Sequence, residues 1–170
     1  MASKKSSKKK SAKAGQKSGG SKTISENRKA THKYEILEQI ECGIMLVGSE
    51  VKSLRDGKLS LAEAYVRVEN GELWLIGADI AQFKQASFWN HQPKRQRKLL
   101  VHRRELKKLS ERAFEKGLTL IPLRMFFNAR GIAKLIVGVG RGKKTHDKRE
   151  SKKTADVKRQ IGREMRERRK

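Results

Sequence analysis

The sequence contains little of what secreted, membrane-spanning or disulfide-bonded proteins need. It has a single cysteine, Cys42, so no disulfide can form within the chain, which fits a reducing cytosol. No apolar run approaches the roughly 20 residues of a membrane span. No apolar stretch follows the basic N-terminus, as it would in a secretory signal. We therefore expect a cytoplasmic protein that does not bind membranes.

Acidic residues are also scarce, and the charge is unevenly distributed. The formal net charge is +25, and residues 1–22 contain eight lysines and no acidic residue. Residues 141–170 contribute +9, so residues 23–140 carry only +8. A moderately basic body between two cationic arms is typical of a protein that binds a polyanion. A surface that only keeps the protein soluble does not need so much like charge, which repels itself.

The apolar residues cluster between Tyr34 and Val139, which predicts one domain with a single small core. We place this body at residues 23–142. Residues 1–22 consist mostly of Lys, Ser, Ala and Gly, and such a composition cannot bury enough surface to offset the entropy of ordering. We therefore predict that the N-terminal extension is disordered.

The C-terminal tail, residues 143–170, is polar and basic but has a weak helical pattern. Val157, Ile161 and Met165 recur every four residues and form a thin apolar stripe. Gly162 interrupts this register at a cost of about 1 kcal/mol in helix stability. We predict a tail that is at most partly helical alone and that folds against a partner.

The body is predicted to be mainly β with helices. Alternating apolar residues from Ala64 to Glu69, followed by Asn70-Gly71, predict a β-hairpin. Arg103 to Lys116 carries an apolar stripe and ends at Gly117, which predicts the longest helix. The remaining elements are strands at 34–40, 44–47, 73–76, 118–127 and 132–139, a helix at 50–55 capped by Ser49 and ended by Gly57, and a loop at 84–98. About six short strands with these helices would close most naturally into a small antiparallel barrel.

The sequence lacks the patterns that catalysis or metal binding needs. No histidine lies four residues from another or pairs with the cysteine, so we predict neither a metal site nor an enzyme. The segment 138–145 superficially resembles a phosphate-binding loop, but Lys144 stands where Ser or Thr is needed. We interpret its glycines as a strand end with little bulk, where a polyanion can approach the backbone and Arg141, Lys143 and Lys144.

Carboxylates in a basic body are informative because each would repel phosphate. Glu41 and Glu50 are tolerable at an RNA surface only if they pair with basic side chains or accept hydrogen bonds from bases. Either residue could equally be an ordinary solvent-facing side chain, or could pair with a neighbour such as Lys52. The residues alone leave both interpretations open.

Five motifs, in this order and spacing, resemble the SmpB family of bacterial SsrA-binding proteins. They are Asn27-Arg28-Lys29-Ala30, Glu41-Cys42-Gly43-Ile44, the segment 48–55, the segment 97–102 and the segment 142–149. The resemblance extends from about Ile24 to Arg149. It implies a small antiparallel OB-like β-barrel with flanking helices. It also implies a protein that delivers transfer-messenger RNA to ribosomes stalled on messages without a stop codon, where the nascent chain is tagged for proteolysis.

The same resemblance implies roles for individual residues. RNA contacts fall on Asn27, Glu41, Gly43, Leu100 and His102, with basic support from Arg28, Lys29, Lys134, Arg141, Lys143 and Lys144. Contacts with the ribosomal decoding site fall on His146, Asp147, Lys148 and Arg149. In this reading the body replaces the missing anticodon arm, and the tail enters the empty message channel and becomes helical there.

The implied partners are transfer-messenger RNA, the ribosome and, through the shared RNA, elongation factor Tu. We expect a monomer without a cofactor. Two other hypotheses remain beside that of a protein that delivers transfer-messenger RNA to stalled ribosomes. A ribosomal or nucleoid protein that coats polyanions without selectivity would explain the tails, but not the motifs within the body. A small nuclease would need an acidic cluster or a histidine pair, and the sequence shows neither.

Overall fold

The computed structural model describes residues 22–86 and 90–143, together with Ile161 and Met165. Within these residues the fold is mainly β with a few helices, as predicted. The elements in chain order are β1 (Lys22–Glu26), α1 (Arg28–Lys33), β2 (Tyr34–Ile44), α2 (Gly48–Arg55), β3 (Leu59–Ser60), β4 (Tyr65–Glu69), β5 (Glu72–Ile76), β6 (Asp79–Ile80), β7 (Arg97–Leu100), α3 (Arg103–Phe114), β8 (Leu118–Phe127) and β9 (Ala133–Gly142).

Seven of the strands form one antiparallel sheet in the order β1-β8-β4-β5-β7-β2-β9, and β8 also pairs with β9. The longest ladder joins β2 to β9 and extends from the pair Tyr34–Gly142 to the pair Gly43–Lys134. Strands β3 and β6 form a separate two-stranded sheet. No helix in the described part of the chain is long and apolar enough to cross a membrane.

The hairpin between β4 and β5 is confirmed, and its turn explains why the sequence signal was strong. Asn70 has a φ of 51° and Gly71 a φ of 71°. A two-residue turn with both central residues at positive φ has the twist that an antiparallel hairpin needs, and Asn-Gly is the pair that adopts it most easily. The turn sets the register in which Val66 faces Leu75, so that both side chains enter the core.

Two apolar clusters stabilise the body on opposite faces of the β8–β9–β2 sheet. The main core contains side chains with almost no exposure, among them Leu75, Leu109 and Val137. The smaller cluster lies beneath α1 and contains Ala30, Ile121 and Leu123. The predicted helix α3 is confirmed, and its Leu109 joins the main core.

Several local predictions were wrong because a distant segment determined the structure. The predicted break at Cys42-Gly43 does not occur, since Cys42 pairs with Leu135 and Gly43 with Lys134 on β9. No element was predicted before residue 34, where the structure has the strand β1 and the helix α1. The predicted loop at 84–98 ends in the first two residues of β7.

Ser49 is not the cap of α2. The helix begins at Gly48, and the Glu50 carboxylate accepts a hydrogen bond of 2.9 Å from the backbone N–H of Val47. The Ser49 hydroxyl instead pairs with Nδ1 of His91 at 3.0 Å. Gly57 follows the helix with a φ of 74°, which fits its predicted role in ending α2.

Candidate nucleic-acid interface

Five of the predicted RNA-contact residues meet where β2 pairs with both β7 and β9. Gly43 lies opposite Leu100 on one side and opposite Lys134 on the other. Together with Val101 and Glu105, the predicted residues line an open pocket of about 260 Å³; they are Glu41, Gly43, Leu100, His102 and Lys134. We refer to these five residues as the pocket cluster. The antiparallel register therefore joins residues that are up to 93 positions apart in the sequence.

Gly43 leaves the apolar side chain of Leu100 uncovered. A Cβ atom at position 43 would lie 3.2 Å from Cβ of Leu100, closer than side chains normally approach. With glycine in this place, Leu100 keeps 49% of its surface exposed. An exposed leucine between polar neighbours offers a contact surface for the flat face of a nucleobase.

Glu41 is paired, and its partner is Lys134 rather than Lys52. Lys134 Nζ lies 3.3 Å from Oε1 of Glu41, and the Glu41 side chain remains 51% exposed. Ion pairs this exposed contribute at most about 1 kcal/mol. A ligand can therefore open the pair, and would then meet an acceptor and a cation side by side.

His102 lines the pocket and is the N-cap residue of α3. It is exposed, and its backbone N–H donates to Oε2 of Glu105 at 3.2 Å. A neutral imidazole supplies one donor and one acceptor. The pocket cluster thus combines an apolar surface, an acceptor, a donor and a cation within one small region.

Among the described residues, the other predicted cations lie on α1 and at the opposite end of the β2–β9 ladder. Arg28 and Lys29 lie on α1, and Arg141 faces Glu35 near the start of β2. Lys143 links the end of β9 to the end of α1, because its backbone N–H donates to the Lys33 carbonyl at 2.9 Å. We call Arg28, Lys29, Arg141 and Lys143 the α1 cluster. Lys134 and Arg141 lie seven positions apart on β9, roughly 24 Å, so we describe these cations separately from the pocket cluster.

Asn27 is buried, with an exposed fraction of 6%. Its Nδ2 donates to the carbonyls of Leu61 at 3.0 Å and Pro122 at 3.2 Å, and its Oδ1 accepts from the N–H of Ala30 at 3.1 Å. These bonds cap α1 and tie it to the sheet. This geometry supports a structural role for Asn27 rather than direct contact with RNA.

The interpretation of the β9 glycines as an opening for a polyanion was wrong for Gly138 and Gly140. A Cβ at Gly138 would lie 2.8 Å from Cδ1 of Leu123, and one at Gly140 would lie 2.9 Å from Cδ1 of Ile121. Both glycines are buried. They make room for the apolar cluster beneath α1, whereas Gly142 has open space around it.

This packing predicts that Gly138→Ala lowers the free energy of unfolding by about 1–3 kcal/mol, because the added methyl group overpacks the cluster beneath α1. Gly142→Ala is the matched control and should change stability by less than about 0.5 kcal/mol. Urea denaturation of the three proteins measures the difference. Equal stabilities would show that Leu123 can move aside without cost.

Glu50 was wrongly considered for an RNA surface, since its side chain has no exposed area. Its Oε1 accepts from Nε of Arg97 at 2.8 Å, and its two oxygens accept from Arg95 at 2.7 and 2.6 Å. Arg97, also fully buried, donates further to the carbonyls of Ala78 and Pro93. We call Glu50, Arg95 and Arg97 the Glu50 cluster. It joins α2 to the first residue of β7, the strand that carries Leu100.

The surroundings of Glu50 set its ionisation. Burial alone would raise the pKa of its carboxyl group. The hydrogen bonds from Arg95 and Val47 and the charges of Arg97 and Arg95 outweigh burial, so the pKa lies below its ordinary value. Glu50 is therefore a carboxylate held between two guanidinium groups inside the protein.

Cys42 lies in the core, and burial together with the charges of Glu105 and Glu41 raises the pKa of its thiol to about 12. It therefore remains a thiol at neutral pH, consistent with a packing role.

Among residues 22–86 and 90–143, no group of three acidic, histidine or cysteine side chains could hold a metal ion. The predicted contacts Lys144, His146, Asp147, Lys148 and Arg149 lie outside the described residues.

Known proteins resemble this chain along most of its length. A family model described as SmpB protein matches residues 24–167. The chain is 59% identical over 143 residues to an SsrA-binding protein of Rhodopirellula baltica, covering 84% of this chain and 81% of that relative. It is 50% identical over 147 residues to an SsrA-binding protein of Mesorhizobium japonicum, covering 86% and 92%. A chain from the solved structure "tmRNA-SmpB: a journey to the center of the bacterial ribosome" is also similar, with a TM-score of 0.61, 50% identity and coverage of 71% and 85%.

Proposed function

Because this chain belongs to the SmpB protein family, we propose that it binds transfer-messenger RNA through the pocket cluster and delivers it to stalled ribosomes for trans-translation. The observation that carries this assignment is the convergence of Glu41, Gly43, Leu100, His102 and Lys134 on one exposed pocket. The relatives are named for binding SsrA RNA, and the similar structure is named for the tmRNA–SmpB complex on the ribosome.

The chemistry of the pocket suits unpaired nucleotides of a folded RNA. Sequence-selective proteins read such nucleotides by contacting their faces and by hydrogen bonding to their edges. Leu100 supplies the apolar surface, while Glu41 accepts hydrogen bonds from amino or imino groups. Lys134 is placed to neutralise a nearby phosphate once the Glu41 pair opens. A surface that coats any polyanion would not need the acidic side chain of Glu41, which weakens the non-selective alternative.

We further propose that the main sheet closes into an OB-like barrel and that this RNA-binding body corresponds to residues 23–142. The pairings support closure, since β8-β4-β5-β7-β2-β9 returns to β8 through the β8–β9 ladder. The closing contact between β4 and β8 is short and consists of the pair Val66–Leu120. OB folds commonly present oligonucleotide-binding surfaces on their outer strands and loops.

The remaining partners follow from the same assignment. In the proposed complex the body replaces the missing anticodon arm, and His146, Asp147, Lys148 and Arg149 contact the decoding site. The rest of residues 143–170 occupies the empty message channel as a helix. Elongation factor Tu binds the same RNA. The protein acts as a cytoplasmic monomer. The Lys-rich extension at 1–22 adds only non-specific attraction to RNA.

The test of this function is binding to transfer-messenger RNA, an ordinary tRNA and a random duplex across a salt series. Each phosphate contact steepens the logarithmic salt dependence by roughly 0.7–0.9, so the slope reports the non-specific part. A preference for transfer-messenger RNA that persists as salt rises is the expected result. If all three RNAs weaken together without preference, the protein coats polyanions and the proposed function is wrong.

Glu41→Arg should weaken this selectivity, because it replaces an acceptor with a cation beside Lys134. Loss of one specific hydrogen-bonding residue is worth about 1–3 kcal/mol of discrimination. Glu111→Arg, at an exposed position on α3, makes the same change in net charge away from the pocket and is the control. The measurement is the ratio of the affinities for transfer-messenger RNA and tRNA. An unchanged ratio in Glu41→Arg would remove Glu41 from the site.

A further inference from the structure

A row of side chains crosses the outer face of the sheet next to the pocket cluster. Trp74 on β5 lies opposite Arg67 on β4 and opposite Lys98 on β7. Leu73 and Leu75, on either side of Trp74, are buried with exposed fractions of 1% and 0%. Since side chains alternate between the two faces of a strand, Trp74 lies on the outer face, where it is partly exposed. The row therefore places an indole ring between two cations.

This row is continuous with the pocket cluster. Lys98 and Leu100 lie two residues apart on β7, and Leu100 pairs with Gly43. Trp74 faces Lys98 directly, which makes it the diagonal neighbour of Leu100, at roughly 7–8 Å between their backbones. A nucleotide held at Leu100 and a second one on Trp74 would lie side by side along the sheet.

The row also matches RNA chemically. Stacking of a base on an aromatic ring contributes about 1–3 kcal/mol and does not depend on base identity. Arg67 is exposed, and the side chain of Lys98 retains 35% of its surface while pairing with Glu72, which retains 39%. An ion pair with this exposure contributes at most about 1 kcal/mol, so a phosphate can replace Glu72 as the partner of Lys98.

We propose that Trp74 is a stacking platform for an unpaired nucleotide of transfer-messenger RNA, with Arg67 and Lys98 neutralising the flanking phosphates. This inference rests on the proposed function and extends its binding surface from the pocket cluster across β7 and β5 to β4. It makes Trp74 a contact that adds affinity, while the pocket cluster supplies selectivity.

Binding measurements with two substitutions test the stacking. Trp74→Phe keeps an aromatic ring, whereas Trp74→Leu keeps only apolar cover for the strand. Trp74→Leu should bind transfer-messenger RNA at least fivefold more weakly than wild type, and Trp74→Phe should stay within about threefold. Urea denaturation of both variants establishes that they are folded. Equal affinities of the two variants would overturn the proposal.

Fluorescence gives a second readout that a purely structural role would not change. The chain has two tryptophans, so Trp89→Phe leaves Trp74 as the sole indole. Its emission should be quenched as transfer-messenger RNA is added, with the same midpoint as binding measured independently. Binding without any change in emission, or a change that appears only when ribosomes are added, overturns the stacking. Neither fluorescence result affects the selective binding of transfer-messenger RNA by the wild-type protein. Failure of the stacking proposal can therefore be distinguished from failure of the proposed function.

Discussion

Replacing Glu50 with alanine is expected to lower the free energy of unfolding by about 3–5 kcal/mol, because it leaves Arg97 as an uncompensated charge in the interior. Arg97 has no exposed surface, and Glu50 is its only acidic hydrogen-bond partner among the described residues. Arg95 loses the same partner but is partly exposed and can turn to water. Urea denaturation measures the change, and Glu63→Ala, at an exposed position, is the control. A loss below about 1 kcal/mol would mean that water reaches Arg97.

The same substitution has a defined pH dependence. The pKa of Glu50 is lowered in the folded protein, so its ionised form stabilises the fold above the pKa of glutamate in the unfolded chain, roughly pH 4.3. This contribution is lost as the pH falls through the lower pKa of the folded state. The stability difference between wild type and Glu50→Ala should therefore be constant near neutral pH and should shrink below about pH 4. A difference that grows on acidification would contradict the assigned ionisation.

Deleting residues 146–170 is expected to abolish tagging of nascent chains on stalled ribosomes while changing the affinity for transfer-messenger RNA by less than about tenfold. Among the residues that the structure describes, the buried apolar residues of both clusters precede residue 140, so the deletion removes none of them. The pocket cluster also lies entirely before residue 135. Only non-specific attraction should be lost, since the deleted segment is basic.

Two measurements separate the functions in this deletion: RNA binding by the purified protein and tagging in a reconstituted translation reaction. The control is a variant that keeps full length but replaces His146, Asp147, Lys148 and Arg149 with alanine. It should lose most tagging if these residues contact the decoding site. Loss of RNA affinity together with tagging in both variants would contradict the division between body and tail.

Signals confined to a few neighbouring residues predicted the structure well. Asn70-Gly71 adopts the turn that its residue types favour, and α3 begins at Arg103 as its apolar stripe indicated. The strands at 118–127 and 65–69 were found for the same reason, because alternation and apolar runs reflect local burial. Gly57 follows the cap of α2 with a φ of 74°, as predicted. Helix α3 ends at Phe114, before the predicted Lys116, and Gly117 lies with a φ of 83° in the turn that leads to β8.

Features that depend on distant partners could not be predicted in this way. Asn27 is buried and donates hydrogen bonds to backbone carbonyls 34 and 95 positions away. Glu50 is buried and accepts hydrogen bonds from arginines 45 and 47 positions away. The sequence around Asn27 is polar, whereas that around Glu50 mixes polar and apolar residues, and neither gives a sign of these partners. Gly43 looked like a break because its role depends on Leu100 across the ladder. The family resemblance supplied the pocket residues, but it did not distinguish those that face solvent from those that hold the fold.

The length of the β2–β9 ladder has a consequence for how tightly one RNA can be held. The ladder is a stiff spacer that keeps Arg141 of the α1 cluster roughly 24 Å from Lys134 of the pocket cluster. If both clusters contact the same molecule, the second contact becomes intramolecular and takes place at a high effective concentration. Two individually weak contacts then give bivalent binding with a higher overall affinity. Under the proposed function, only an RNA whose own fold presents two segments at that separation would benefit, so the spacing would itself discriminate among RNAs.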